Sequence, residues 1–345
     1  MTSSVLWYVH DHGDGHLQRC LAVLPHLEAN VVVASSRCDL AARVPRSLAT
    51  TSTLPSDVIA GAGAQGPWHY APTGAVTTGR AGALIDALRA YACTTAVVDV
   101  SVETAVLCRL AGLRVITLRQ SGRREDDAHR IGFSSADAVW VPQHPELEPI
   151  DAASRSLPLR WSGGFSRFDA EPTTRSAARV ALGIEPEERL MVMVIGRGGN
   201  RFPSTEWQVD CGPARTRVAI LGLEEAWQTD SSTSFGRVEN PFTWLVASDG
   251  VVTSGGWASV HDTVAAGTRL AIVAEPRPFD EQAVRADELH RRGLAVALDE
   301  WPTPDRVDGL LDVLLENDPD SWSEFYDHQG AQRAAALIDQ VHHDG

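Results

Sequence analysis

Within the stretch VLWYVHDHGDGHLQRCLAVLPHL, three histidines and two acids fall in seven residues: His10, Asp11, His12, Asp14 and His16. An imidazole that titrates near neutrality, set among carboxylates, suits the removal of a proton from a hydroxyl. The apolar run before the cluster reads as a strand and the residues from about Gly15 as a helix. The cluster therefore occupies a strand-to-helix turn, the place where open α/β sheets bind ligands. Zinc is the competing reading, with His10, His12 and His16 as imidazole ligands, but no fourth ligand follows at motif spacing.

A second chemical stretch is DGVVTSGGWASVHDTVAAGTRLAIVAEPRPFDEQ, from Asp249 to Gln282. A strand ends near Thr253, Gly255 and Gly256 allow close backbone approach, and a helix begins near Ala258. Its free N–H groups and positive dipole end make a site for a diphosphate. Asp262, in the first turns of that helix, is placed to accept two hydrogen bonds from a ribose diol. Asp280, Glu281 and Gln282 close the next strand and are candidates for sugar hydroxyls. Asp99, ending the strand TAVVDV, points toward the same region as the opening histidines, either as a base or to orient one. Arg119, Arg123 and Asp126 in LRQSGRREDDAH are further candidates on that side.

Positioning these turns requires strands and helices in alternation, and the chain supplies them twice. VLWYVH, NVVVASS, TAVVDV, RVITLRQ and AVWVP are buried-type strands separated by helical patterns in the first half. After a Pro-, Ser- and Gly-rich stretch between Pro142 and Thr174, RLMVMVIG, TRVAILG, GVVTSG and LAIVAE repeat the rhythm. The expectation is two doubly wound parallel-sheet domains facing a cleft. The first spans 1–160 on the acceptor side and the second 161–325 on the nucleotide side. A C-terminal helix over 326–345 is free to cross back to the first domain. The stretch from Pro55 to Gly79 reads as a glycine-rich loop around Trp68, His69 and Tyr70.

Composition narrows the partners. All 30 basic residues of this 345-residue chain are Arg, against 45 acidic ones, for a formal charge of -15. That balance excludes a general nucleic-acid binder, which needs a basic face. Five scattered cysteines with no C-x-x-C pair read as buried, reduced thiols. MTSSVLWYVHDHG has no basic n-region, and no apolar run approaches the ~20 residues of a bilayer span. A cytoplasmic protein is expected, compatible with peripheral membrane contact.

The run SGGWASVHDTVAAGTRLAIVAEPRPFDEQ resembles the donor-binding segment of nucleotide-sugar glycosyltransferases of the GT-B fold. The resemblance implies that Gly255 and Gly256 meet the diphosphate, Asp262 the ribose, and Gln282 with Glu281 the sugar. Many relatives carry His where Ser254 stands and Glu where Asp262 stands, so the diphosphate loses one charged donor and the carboxylate reach shortens by a methylene. VMVIGRGGNRF resembles the Gly-rich loop of bacterial peptidoglycan N-acetylglucosaminyltransferases. Gly196, Gly198, Gly199 and Asn200 would wrap a phosphate there, and Arg197 would neutralise the departing nucleoside diphosphate. Phe242 stands where relatives flank the base, with a core aromatic as the alternative.

HDHGDGHLQR matches their first strand-to-helix turn, which makes His16 the expected base, with Asp14 and Asp99 as competitors. No Asp-x-Asp pair of the metal-dependent kind is found. The expected reaction is an inverting transfer from a UDP-sugar without an obligatory metal or resident cofactor. No motif specifies the acceptor, the donor sugar or the oligomeric state. GHLQRCL also resembles the helix start of nucleotide-sugar hydrolases of nonulosonic acid pathways, in which water replaces the acceptor. A non-catalytic nucleotide-sugar binder is the third alternative.

Overall fold

The computed structural model describes residues 3–11, 13–56, 68–69, 71–151, 154–196, 200–209 and 215–344. Central strands of nearly continuous burial, flanked by more exposed edge strands, build two seven-stranded sheets. In the first sheet, β1 (Ser4–Val9), β2 (Asn30–Ser35), β3 (Thr50–Thr53) and β4 (Cys93–Asp99) are followed by β5 (Arg114–Leu118), β6 (Ala138–Val141) and β7 (Leu159–Trp161). They lie in the order β3-β2-β1-β4-β5-β6-β7. Between them run α1 (Gly15–Val23), α2 (Leu40–Arg43), α3 (Ala75–Ala90), α4 (Val102–Leu110) and α5 (Asp127–Ser134).

The second half opens with α6 (Arg175–Leu182), β8 (Arg189–Val194), α7 (Ser204–Trp207) and β9 (Thr216–Leu221). The hairpin β10 (Ala226–Gln228) and β11 (Ser232–Phe235) leads to α8 (Phe242–Ala247), β12 (Gly250–Ser254) and α9 (Trp257–Ala265). Then come β13 (Leu270–Val273), α10 (Glu281–Arg291), β14 (Val296–Leu298), α11 (Val307–Leu315) and α12 (Gly330–His343). This sheet runs β10-β11-β9-β8-β12-β13-β14. Every strand pair in both sheets is parallel except the edge pair β10 and β11.

Parallel strands covered on both faces need apolar residues on both, which is why the central β1 and β12 are buried throughout. In each sheet the chain reverses direction beside the central strand, so the carboxyl ends of β1 and β4, and of β8 and β12, open toward one crevice.

Two elements depart from the reading of the sequence. The glycine-rich loop does not extend to Gly79, because α3 begins at Ala75 and turns Leu84, Ala87 and Leu88 inward. Gly79 and Gly82 sit on its open side, with nothing within 4 Å of an added Cβ, so they cost helix propensity without marking a turn. Among the described residues Cys20, Cys38, Cys93 and Cys108 are free; Cys20 and Cys108 are buried, whereas Cys93 is half-buried and Cys38 exposed, and Cys211 lies outside the described residues. Among the described residues no helix is long and apolar enough to cross a membrane.

The halves meet along two crossing segments and a packed face. Helix α12 lays Ala331, Ala334, Ala335 and Ile338 into the core of the first sheet. At its start, a Cβ on Gly330 would come 2.3 Å from the Gly164 carbonyl oxygen, so the two crossings touch backbone to backbone. Trp257, the first residue of α9, joins that same core, donating Nε1–H to the Pro142 carbonyl at 2.8 Å and meeting Phe165 edge to face at 4.8 Å. On the other flank, Arg123 N–H donates to the Phe279 carbonyl at 2.7 Å.

Gly122 makes that last approach possible. Its φ is +109°, and a Cβ there would lie 2.4 Å from the Phe279 oxygen. Gly112 has φ +90° with nothing within 4 Å of an added Cβ. Gly122→Ala is expected to lower the urea midpoint beyond Gly112→Ala, by about 1 to 3 kcal/mol of added strain. Equal midpoints would show that the flank yields without cost.

Candidate active site

The crevice is a cleft of about 750 Å³ between the two sheets. Its walls carry Asp14, Gly15, His16 and Arg19 from one domain, and Gly196, Ser254, Gly256, Asp262, Glu281 and Gln282 from the other. That volume falls within the usual range for small-molecule sites.

On the first wall, α1 begins at Gly15 directly after the turn. His16 and Arg19, three residues apart, share one helix face. His16 Nδ1 lies 3.0 Å from Asp99 Oδ1, and Arg19 Nη1 donates to both Asp99 oxygens at 2.8 Å. Asp99 is fully buried at the end of β4. Burial pushes its carboxyl upward, but the Arg19 charge and the His16 contact outweigh this and hold it below the ordinary carboxylate range. An ionised Asp99 accepts from Nδ1–H, which leaves the Nε2 lone pair of His16 for the cleft.

Asp99 itself does not line the cleft, and it holds Nδ1 of His16. Asp14 lines the cleft, and its Oδ1 accepts from Arg37 Nη2 at 2.8 Å and Arg43 Nη1 at 3.0 Å, contacts that brace the turn. Of the zinc set, His12 lies outside the described residues, and the His10 and His16 rings stand 5.8 Å apart with His16 committed to Asp99.

On the second wall, Gly256 is the N-cap residue of α9 and carries no capping side chain. The first N–H groups of the helix therefore face the cleft through Gly256, Trp257, Ala258 and Ser259. Gly255 does not line the cleft. A Cβ there would meet the Gln282 backbone within 3.3 Å, and its carbonyl accepts from Arg285 Nη1. Ser254 and Gly196 close the floor where β12 and β8 end, an added Gly196 Cβ standing 3.1 Å from Ser254 Oγ. Arg197, Gly198 and Gly199 lie outside the described residues.

Gln282 Oε1 accepts from Glu275 N–H at 2.9 Å, which fixes the amide beside the cleft. Glu281 pairs across the domains with Arg124 at 3.5 Å and along its helix with Arg285 at 3.6 Å. Arg119 is buried against Glu148 at 2.8 Å and is a structural ion pair.

Asp262 is a buried carboxylate on the second wall. Its Oδ1 accepts from Ser166 Oγ at 2.6 Å, and Arg167 Nε stands 3.8 Å from Oδ2. Burial raises the carboxyl to about 6 despite Arg167 and Ser166, with the Asp169 charge adding to the rise.

Phe242 is a correction. It is buried in the core, stacked on Phe168 at 4.7 Å, because it falls on the inner face of the short α8. Val238, Glu239 and Pro241 line the cleft in its place. Arg19, Ser166 and Arg167 complete the site without having been singled out. Arg19 is the arginine of the run GHLQRCL. Ser166 and Arg167 lie in an aperiodic crossing segment, where only three-dimensional contact identifies them.

No family model and no curated protein sequence matches the chain. Solved structures match over nearly its full length. The glycotransferase of kitacinnamycin superposes with a TM-score of 0.68 at 15% identity, covering 99% of each chain. A Polygonum tinctorium UDP-glucosyltransferase capable of glucosylating indoxyl gives 0.64 at 13%, also over 99% of each. MurG of Acinetobacter baumannii gives 0.63 at 14%, over 99% of this chain and 100% of that one. The chain thus has the two-domain GT-B fold.

A carboxyl held at about 6 instead of 3.8 means that the folded state binds a proton more tightly than the unfolded one. Ionised Asp262 then costs the fold up to about 3 kcal/mol above pH 6, a cost that disappears as pH falls below 4. Asp262→Asn, which keeps an acceptor for Ser166, should raise stability at alkaline pH and lose that advantage progressively between pH 6 and 4. A pH-independent difference in denaturant midpoints would remove the burial argument.

Proposed function

We infer that this chain is an enzyme that transfers a sugar from a nucleoside-diphosphate sugar to an acceptor hydroxyl. The observation that carries the reading is convergence: an Asp99-oriented imidazole on one wall, and an uncapped helix start with Asp262 beside it on the other, line one cleft. His16 Nε2 takes the proton of the acceptor hydroxyl as that oxygen attacks C1, and ionised Asp99 stabilises the imidazolium that forms. Attack opposite the leaving group makes the transfer inverting, through an oxocarbenium-like transition state.

The departing diphosphate rests on the N–H groups and positive dipole end of α9, with cleft arginines beside it. Helix dipole and guanidinium charge do this work in the proposal without an obligatory divalent ion. Asp262 accepts the ribose hydroxyls, and Gln282 with Glu281 faces the sugar. UDP is the nucleotide we assign, in line with the similar Polygonum tinctorium UDP-glucosyltransferase.

Calorimetric titration with UDP, TDP, GDP and ADP, each with EDTA or with magnesium, tests the donor half. Tightest binding of UDP in EDTA is expected, weakened by about 1 to 3 kcal/mol in Asp262→Ala for the loss of two hydrogen bonds to a carboxylate. An unchanged dissociation constant would take Asp262 out of the site.

On the acceptor half, His16→Ala should reduce turnover roughly 100- to 10,000-fold while leaving UDP affinity nearly intact. Full activity in that variant would refute His16 as the base. Free sugar released as fast as transfer product would identify water as the acceptor and the reaction as hydrolysis.

A further inference from the structure

Away from the cleft, on the flank where the first domain touches the loop before α10, two histidines and an acid converge. His69 belongs to the segment between β3 and α3, Asp126 is the N-cap of α5, and His129 lies in its first turn. One ligand-type atom from each lies within 4.8 Å of those from the other two. None of the three lines the cleft.

We propose that His69, Asp126 and His129 bind a divalent transition metal of the zinc class, at a site capped by Phe279 of the second domain. Two imidazoles and one carboxylate are a ligand set suited to such ions. His69 Nε2 stands 2.7 Å from Asp126 Oδ1, and His129 Nδ1 stands 2.5 Å from Asp126 Oδ2. A bound ion separates its donor atoms to roughly 3.3 Å, so these pairs open by less than about 1 Å, within side-chain rotation.

The surroundings hold the ligands in place, as metal sites require. Glu103 Oε1 accepts the backbone N–H of His69 at 2.7 Å, and Phe279 packs 5.0 Å from the His69 ring and 4.7 Å from that of His129.

Arg124 is the competitor. Its Nη1 lies 3.1 Å from His129 Nε2, which fixes the remaining ring proton on Nδ1. When an ion takes Nδ1 that proton moves to Nε2, and Arg124 must release the ring. It keeps acceptors at Gln120 and Ser121, between 3.2 and 3.3 Å. Its charge and the positive end of α5 oppose a cation, so micromolar affinity is expected, not the tighter binding of a closed structural zinc site. A bound ion ties the His69 segment to α5 beneath Phe279 and so stiffens this flank of the domain contact.

This proposal is independent of the sugar-transfer reading. The full chain, stripped with EDTA, is titrated with Co²⁺ by visible absorption and with Zn²⁺ by calorimetry. One equivalent is expected, with the ligand-field bands of an N/O site. Binding should weaken by at least about tenfold in His69→Ala and in His129→Ala, with UDP affinity unchanged. His69→Ala removes a part-exposed ring from a loop and keeps the test valid should His129→Ala fail to fold. No saturable uptake at sub-millimolar metal, or one equivalent retained in His69→Ala, overturns the site.

Discussion

Arg19 ties the two walls of the cleft together. Its guanidinium is buried, donates to both oxygens of Asp99 at 2.8 Å, and lies 4.6 Å from the centre of the Trp257 ring. Breaking a buried ion pair by removing one partner typically costs about 3 to 5 kcal/mol, since the survivor is left charged in a poor solvent. Asp99 stays ionised because Arg19 is there, and an ionised Asp99 fixes the tautomer of His16. The other face of the cation seats an aromatic ring from the opposite domain. One charge therefore bears on both the His16–Asp99 pair of the first wall and the seating of α9 on the second.

That coupling explains how two helix starts come to face each other. α1 and α9 approach so closely that an added Cβ on Gly15 would be 4.0 Å from the Ala258 Cβ. Both present positive dipole ends to the cleft, an arrangement that repels unless negative charge lies between them. Asp14 and Asp262 supply part of it, each already bound to hydroxyl or guanidinium groups. A diphosphate would complete the neutralisation in the proposed reaction. The formal charge of -15 gives no hint of such a local preference for anions, because that preference is made by geometry and not by composition.

The alternation of strands and helices was legible from the sequence because strands buried on both faces need unbroken apolar runs and their crossovers need helical periodicity. The turns at His16 and Gly256 were legible for a related reason: backbone N–H groups and glycines at the carboxyl end of a strand leave a local signature. Partnership was not legible. Asp99 reads equally as base or as orienting group until Arg19 is seen beside it, 80 residues away in sequence. Phe242 reads equally as a base platform or as core until Phe168 is seen stacked on it. Ser166 and Arg167, in a segment without periodicity, carry no pattern at all, yet they provide the nearest partners of Asp262. Residues that act through local backbone can be found from spacing, whereas residues that act through long-range contact need coordinates.

The same division appears in where the fold accepts unfavourable conformations. Phe279 and Asp280 adopt φ of +62° and +54°, a region that side chains with a Cβ rarely occupy, immediately before the Glu281 and Gln282 that line the cleft. Asp262 is held partly against its charge, and Gly122 is confined by a backbone oxygen. Each lies at the contact between domains or beside the cleft. Strain and buried charge persist only where the surrounding structure over-determines them. Here that over-determination comes from the domain contact: the Arg123 N–H donated to the Phe279 carbonyl and the Arg285 guanidinium spanning Gly255 and Ser121. Opening the cleft would remove those constraints first, so the residues proposed to meet the donor sugar are shaped by closure of the two domains and not by the second domain alone.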